Sequence, residues 1–126
     1  MRPNILILDD EERIRDLLFQ YLDDFEQFDV RGAGSGEQAL EMLAGRPADV
    51  AVVDMRLPGM NGAQFIREAG RRGLCRHFLV HTGSVGMFLG DEFAELGLTE
   101  RDLFFKPTGA DGILSRILEL FPGTEA

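Results

Sequence analysis

Five side chains capable of chemistry stand at the ends of apolar runs. Asp9 and Asp10 follow "ILIL", Asp54 follows "VAVV", Thr82 follows "FLVH" and Lys106 follows "LFF". If one fold gathers these ends, three carboxylates, a hydroxyl and an ammonium share one crevice. Carboxylates a few ångströms apart repel strongly unless a cation joins them. A hard dication is the natural partner. Mg²⁺ keeps several waters and takes one or two protein carboxylates plus a substrate phosphate oxygen. Acids, Mg²⁺, a lysine and a threonine hydroxyl together suit phosphoryl chemistry, which is mostly positioning and charge stabilisation. Asp54 is then a candidate nucleophile that would form an acyl phosphate. Plainer readings stand beside this one. Asp9 and Asp10 could cap a helix, with Glu11 and Glu12 favouring its positive end. Asp54 alone could be a turn residue before "LPGMNG", and Lys106-Pro107 an exposed strand end. Each signal is weak by itself, and their placement at four separate run ends is what favours a site.

The order of elements decides whether those ends meet. Apolar runs recur at 5–8, 28–30, 50–54, 78–81 and 103–105, and helical patterns fill the gaps. In the first gap Ile14, Leu17, Leu18, Tyr21, Leu22 and Phe25 follow the i, i+3, i+4, i+7 rule. The second helix opens at Ser35, with Gln38 three residues on as in a capping box, and stops near Gly45. A third covers about Ala63 to Arg72, with Phe65, Ile66 and Ala69 inward and Gly73 as its stop. Gly83, Gly86 and Gly90 loosen the fourth gap, where a helix is expected only around Asp91 to Leu96. A fifth helix carries Ile113, Leu114, Ile117, Leu118 and Phe121 up to Pro122.

The strand runs are continuous rather than alternating, as in a parallel sheet covered on both faces. Five βα units with right-handed crossovers predict an α/β fold: a three-layer sandwich with a five-stranded parallel sheet and five helices. Strand two ends in Gly32, Ala33 and Gly34, which carry no functional group. A flavodoxin-like order 2-1-3-4-5 accounts for this by placing strand two at the edge and the switch point between strands one and three. Residues 1–122 are expected to form one domain, and 123–126 a frayed tail or the start of a linker.

Composition narrows the function classes. A net charge of −9 argues against nucleic-acid binding through this domain. No apolar run approaches the roughly 20 residues of a membrane span. A single cysteine, Cys75, excludes an internal disulfide and fits a cytoplasmic location. His77 and His81 bracket strand four and read as structural. Cys75 reads as an inert thiol, and Met87, Phe88 and Leu89 as core packing in preference to a docking patch.

The segments "ILILDDE", "VAVVDMRLPGMNG", "HTGS" and "LFFKP" together resemble the receiver domain of bacterial two-component response regulators, over nearly the whole chain. The resemblance implies that Asp54 is the phosphoacceptor, taking its phosphoryl group from a phosphohistidine on a sensor histidine kinase or phosphotransfer protein. It implies that Asp10 and Asp54 ligate Mg²⁺ directly with the backbone carbonyl of Arg56, and that Asp9 acts through water. Thr82 would hydrogen-bond the phosphoryl oxygens and Lys106 would pair with them. It implies a switch acting through an output partner or output domain, not a turnover enzyme, with a homodimer through the face from helix four to helix five. Two features depart from the family pattern. Leu103 stands where receivers usually carry an aromatic coupled to the threonine, and the segment from Thr82 to Lys106 is rich in glycine. The competing readings are a receiver-like docking domain that works without phosphorylation and an aspartyl-nucleophile phosphohydrolase. The phosphohydrolase would carry its nucleophile after strand one rather than strand three.

Overall fold

The computed structural model describes residues 2–83, 94–106 and 109–123. Five parallel strands, β1 (Asn4–Leu8), β2 (Asp29–Ala33), β3 (Ala48–Val53), β4 (Cys75–Thr82) and β5 (Leu103–Phe105), form one sheet in the order β2-β1-β3-β4-β5. The expected fold and strand order are therefore present. The described residues also hold α1 (Glu12–Asp23), α2 (Gly36–Gly45), α3 (Gly62–Arg71) and α4 (Ala110–Leu120), with a 3₁₀ turn at Glu100–Asp102. Five helices were expected, and four α-helices are found among the described residues. The stretch expected to be helical from Asp91 to Leu96 lies half outside them, with Ala94 and Glu95 helical. The Met87–Leu89 trio lies outside them altogether.

Continuous apolar strands serve two cores. Leu6, Leu8, Ala51 and Val53 point to one side with Ala39, Leu43, Phe65, Ile66 and Ala69 of α2 and α3. Ile5, Ile7, Val50 and Val52 point to the other with Leu18, Leu22, Ile113 and Ile117 of α1 and α4. Alternation along a strand is thus preserved, but both faces are dry, so no polar residue marks it.

Only β5 keeps the bounds of its apolar run; β1 starts one residue early at Asn4, β3 spans Ala48–Val53 rather than 50–54, and β2 and β4 shift further. β2 starts at Asp29 and runs to Ala33, while Phe28 sits fully buried just ahead of it. β4 begins at Cys75, three residues before the apolar run, because its first half is only partly covered and tolerates Arg76 and His77. The helix signals fare well. The Ser35 side chain accepts from the Gln38 N–H, and Gly73 ends α3 with a φ of 68°. The Gln38 side chain accepts from Gly34 N–H. α3 carries a full capping box that the serine-threonine pattern does not find: Asn61 Oδ1 and Gln64 Oε1 each accept the other residue's N–H at 2.9 Å.

Candidate functional site

The sheet order brings the carboxyl ends of β1, β3, β4 and β5 side by side. Asp9 leaves β1 with its N–H donating to Ala33 O at 3.1 Å, and Asp54 leaves β3 with its N–H donating to Leu8 O at 2.9 Å. Lys106 N–H donates to Thr82 O at 2.9 Å, which ties the end of β5 to the end of β4. Backbone pairing alone thus sets the four ends in one row.

Asp9 and Asp54 are buried at 3% and 4% relative exposure. Asp9 Oδ1 accepts the Glu11 N–H at 2.9 Å, and its Oδ2 lies 2.8 Å from Lys106 Nζ. Asp54 Oδ1 accepts the Arg56 N–H at 3.1 Å, and its Oδ2 lies 3.1 Å from the same ammonium. A third acid completes the set, since Glu11 Oε1 is 3.0 Å from Lys106 Nζ. One oxygen each from Asp9, Glu11 and Asp54 lies within 4.8 Å of the others. Beside them opens a cleft of about 470 Å³ lined by Asp10, Glu11, Asp54, Arg56, Thr82, Gly83 and Lys106.

Of the residues singled out from the sequence, Asp9, Asp54 and Lys106 are in direct contact. Asp10, Arg56 and Thr82 line the same cleft; Asp10 and Arg56 are exposed and Thr82 is fully buried. Asp10 does not join the tight trio of acids; Glu11 does. Glu11 occupies the N-cap position of α1 without making a side-chain cap bond. Its carboxylate reaches the lysine instead, so the helix-dipole reading misses its main contact.

The charges explain one another. Burial pushes the Asp54 carboxyl above its usual range, and the Arg56 N–H and Lys106 only partly offset that. Burial also works against the Lys106 ammonium, but hydrogen bonds to Asp9 and Glu11 outweigh it and raise its pKa. Both partners of one ion pair therefore shift upward. The reason is that one ammonium is shared among three acids, which secures its proton while giving each acid only part of a counter-charge. Such a set of hard carboxylate oxygens, two buried and that of Glu11 exposed, fits a small dication in donor type. Lys106 already supplies one positive charge at its focus.

Glycine holds the Asp54 loop in place. A Cβ on Gly62 would stand 2.6 Å from Asp54 O and from Met55 Cα, and Gly62 N–H donates to Met55 O at 3.2 Å. The first turn of α3 thus packs directly on the backbone that carries Asp54. His77 and Cys75 sit in packed surroundings away from the cleft. His77 meets the Phe121 ring edge-on at 5.6 Å, and burial, with Arg76 and Arg116 near it, lowers its pKa. Burial pushes the Cys75 thiol up to about 12. Among the described residues no helix is long and apolar enough to cross a membrane.

Known proteins give the same picture. Solved structures share the fold: the chemotaxis protein CheY4 of Vibrio cholerae superposes with a TM-score of 0.83 at 22% identity, covering 96% of this chain and 100% of that one. The signal receiver domain of an HD domain-containing protein from Pseudomonas fluorescens gives 0.84 at 24% identity, over 94% of both chains. In sequence, the transcriptional regulatory protein AruR of Pseudomonas aeruginosa is 42% identical over 73 residues, 54% of this chain and 30% of that protein. The hydrogenase transcriptional regulatory protein HoxA of Cupriavidus necator is 37% identical over 71 residues, 56% of this chain and 14% of that protein. The chain therefore matches less than a third of the length of these relatives. Residues 5–118 match the response regulator receiver domain. With that match spanning nearly its whole length, the chain belongs to the family of response regulator receiver domains.

Proposed function

We propose that the chain is a phosphorylation-controlled switch in which Asp54 accepts a phosphoryl group from a phosphohistidine on a sensor histidine kinase or phosphotransfer protein. The observation that carries this reading is the setting of the Asp54 carboxylate. It is buried at the end of a central strand, open to a polar cleft, and held through one oxygen by the Arg56 N–H and through the other by Lys106. A carboxylate oxygen attacks phosphorus, the P–N bond breaks, and the imidazole leaves with the bonding pair. Lys106 and the Thr82 hydroxyl receive the phosphoryl oxygens. Asp10, Asp54 and the Arg56 backbone carbonyl would hold Mg²⁺, with Asp9 acting through water. When bound, Mg²⁺ neutralises charge on the acids and on the phosphoryl oxygens.

Each modification leaves the chain altered and waiting for a partner, so it acts as a switch rather than as an enzyme that turns over a substrate. Its output passes through a partner or an attached domain, as the names of the transcriptional relatives suggest, and pairing of two copies would use the face between the segment after Thr82 and α4. The test is intact mass after incubation with acetyl phosphate and Mg²⁺. One phosphoryl group is expected on the natural chain, and none on Asp54→Asn or in chelator. An unmodified natural chain, or equal labelling of Asp54→Asn, overturns the reading. Sustained release of phosphate far beyond one equivalent would favour a hydrolase.

A further inference from the structure

Arg15 and two glycines form a feature that the phosphoryl-transfer site does not account for. Arg15 lies in the first turn of α1, half-buried, and its Nη1 donates to the backbone carbonyl of Asp9 at 2.8 Å. To get there its side chain crosses the end of β2. A Cβ on Gly32 would stand 3.2 Å from Arg15 Cδ and 3.4 Å from Cγ, and one on Gly34 would stand 3.3 Å from Nη1. Neither glycine has the positive φ that would require glycine for the backbone's sake. The strand end is bare, and the bare strip is filled by the arginine.

This contact completes the hold on Asp9. The N–H of Asp9 is tied to Ala33, its Oδ1 to the Glu11 N–H and its Oδ2 to Lys106, leaving the carbonyl as the remaining polar group, and Arg15 takes it. That carbonyl belongs to the peptide joining Asp9 to Asp10, so its orientation sets the direction in which Asp10 leaves the strand. We infer that Arg15 is a positioning residue: laid over Gly32 and Gly34, it fixes the Asp9–Asp10 peptide and so aims the acids at the cation site. The inference rests on the reading that these acids hold Mg²⁺.

Charge and positioning predict opposite signs, which makes the inference decidable. A guanidinium beside the acids repels an arriving dication, so on charge alone its removal tightens Mg²⁺ binding. A group that orients ligands from behind typically costs about tenfold or more in metal affinity when lost. Arg15→Met removes both charge and contact. Gly32→Val keeps the charge, suits a strand, and puts methyl groups where the arginine stem lies. Mg²⁺ affinity by titration calorimetry is expected to fall about tenfold in both variants, and the double variant should fall no further than either one. Hydrogen exchange of the Asp10–Glu12 amides in metal-free protein should speed up several-fold in both variants, while amides of α3 stay unchanged. Tighter or unchanged Mg²⁺ binding by Arg15→Met, or a melting temperature that falls with no change in affinity or local exchange, overturns the assignment. If the natural chain takes up no Mg²⁺, the reading of the acids fails, and metal-free exchange alone decides whether Arg15 positions the peptide.

Discussion

Removing the shared ammonium should expose what the acids cost the fold. In Lys106→Met the side-chain volume is nearly kept, but Asp9 and Asp54, whose side chains are 4% and 5% exposed, lose their counter-charge. Glu11 is 60% exposed and can turn to water, so it adds nothing to the sum. Stripping the partner from a buried charge costs about 3–5 kcal/mol. An independent ceiling comes from proton uptake. Protonating one aspartate at pH 7 from its ordinary 3.8 costs about 4 kcal/mol at 1.36 kcal/mol per pH unit. The two figures agree, and for a domain of this size they correspond to a melting temperature lower by roughly 10–20 °C.

The pH dependence follows from the direction of the shifts. Burial already raises the folded-state pKa of Asp54 above its unfolded value, and loss of Lys106 removes an opposing influence. The added penalty is then present in full above the raised value and disappears as pH falls to the ordinary carboxylate range. The gap between natural chain and variant should therefore be widest near pH 7 and nearly closed at about pH 4. It should narrow again in strong alkali, because the raised Lys106 pKa gives stability that is full below the ordinary 10.5 and lost above the raised value. Mg²⁺ should narrow the gap as well. A ligand at a hundred times its Kd adds about 2.7 kcal/mol, and the variant gains more because no lysine competes for the acids. Thermal melting by circular dichroism at pH 7 and pH 4, with and without Mg²⁺, gives all four comparisons. Equal melting temperatures at pH 7, or a gap that persists undiminished at pH 4, refute the charge argument.

Four further outcomes are expected. Gly62→Ala should destabilise by about 1–3 kcal/mol, since the added methyl meets backbone at 2.6 Å and cannot be relieved by a rotamer change; an unchanged denaturation midpoint would count against it. Cys75, with its thiol pushed up to about 12, should resist alkylation at pH 8 in the native protein and react at once in denaturant; rapid native labelling would contradict the burial. Arg56 stands two residues beyond Asp54 and lines the cleft, where its cation can shield an acyl phosphate from water, so Arg56→Asn should speed dephosphorylation as followed by gel mobility. Beryllofluoride, a phosphoryl mimic, should change amide exchange chiefly between Thr82 and Lys106, and much less in Thr82→Ala. One charge-assisted bond offers about 1.5–3 kcal/mol, enough for a roughly tenfold to hundredfold population shift; an unchanged segment in beryllofluoride-bound protein would refute such a switch.

Much of this architecture was legible in the chain because its signals are local. The central strands β1 and β3 are built on unbroken apolar runs, 5–8 and 50–53, and the helices between the strands repeat at the helical period. The glycine-ended second run pointed to an edge strand, and from there to the order of the sheet. Where polar residues enter a strand the signal fades. Arg76 and His77 lie within β4, yet they read as loop because that half of the strand is only partly covered. Placement of Asp9, Asp54, Thr82 and Lys106 followed from topology alone, since any residue at a strand's carboxyl end is delivered to the same rim. Side-chain reach is another matter. Glu11 joins the site only because Asp9 Oδ1 takes its N–H and turns the chain, and Arg15 reaches Asp9 only across two distant glycines. No spacing in the sequence encodes either contact.

The same distinction bears on how a signal could leave the site past Leu103. The three residues of β5 look interchangeable in sequence, but alternation separates them. Leu103 packs with the core that holds Val80 and Leu98, on the α3 side of the sheet. Phe104 packs with the opposite core, its ring so close to α4 that a Cβ on Gly112 would be 2.9 Å away. Phe104 therefore cannot stand in for an aromatic on Leu103's face. Phe105 can, by parity along the strand. It pairs in register with Thr82 and keeps 38% of its surface exposed. An aromatic on the same face as Leu103 is thus present, displaced two residues toward Lys106 and directly beside the threonine, so that under the proposed switch a shift of Thr82 would meet Phe105.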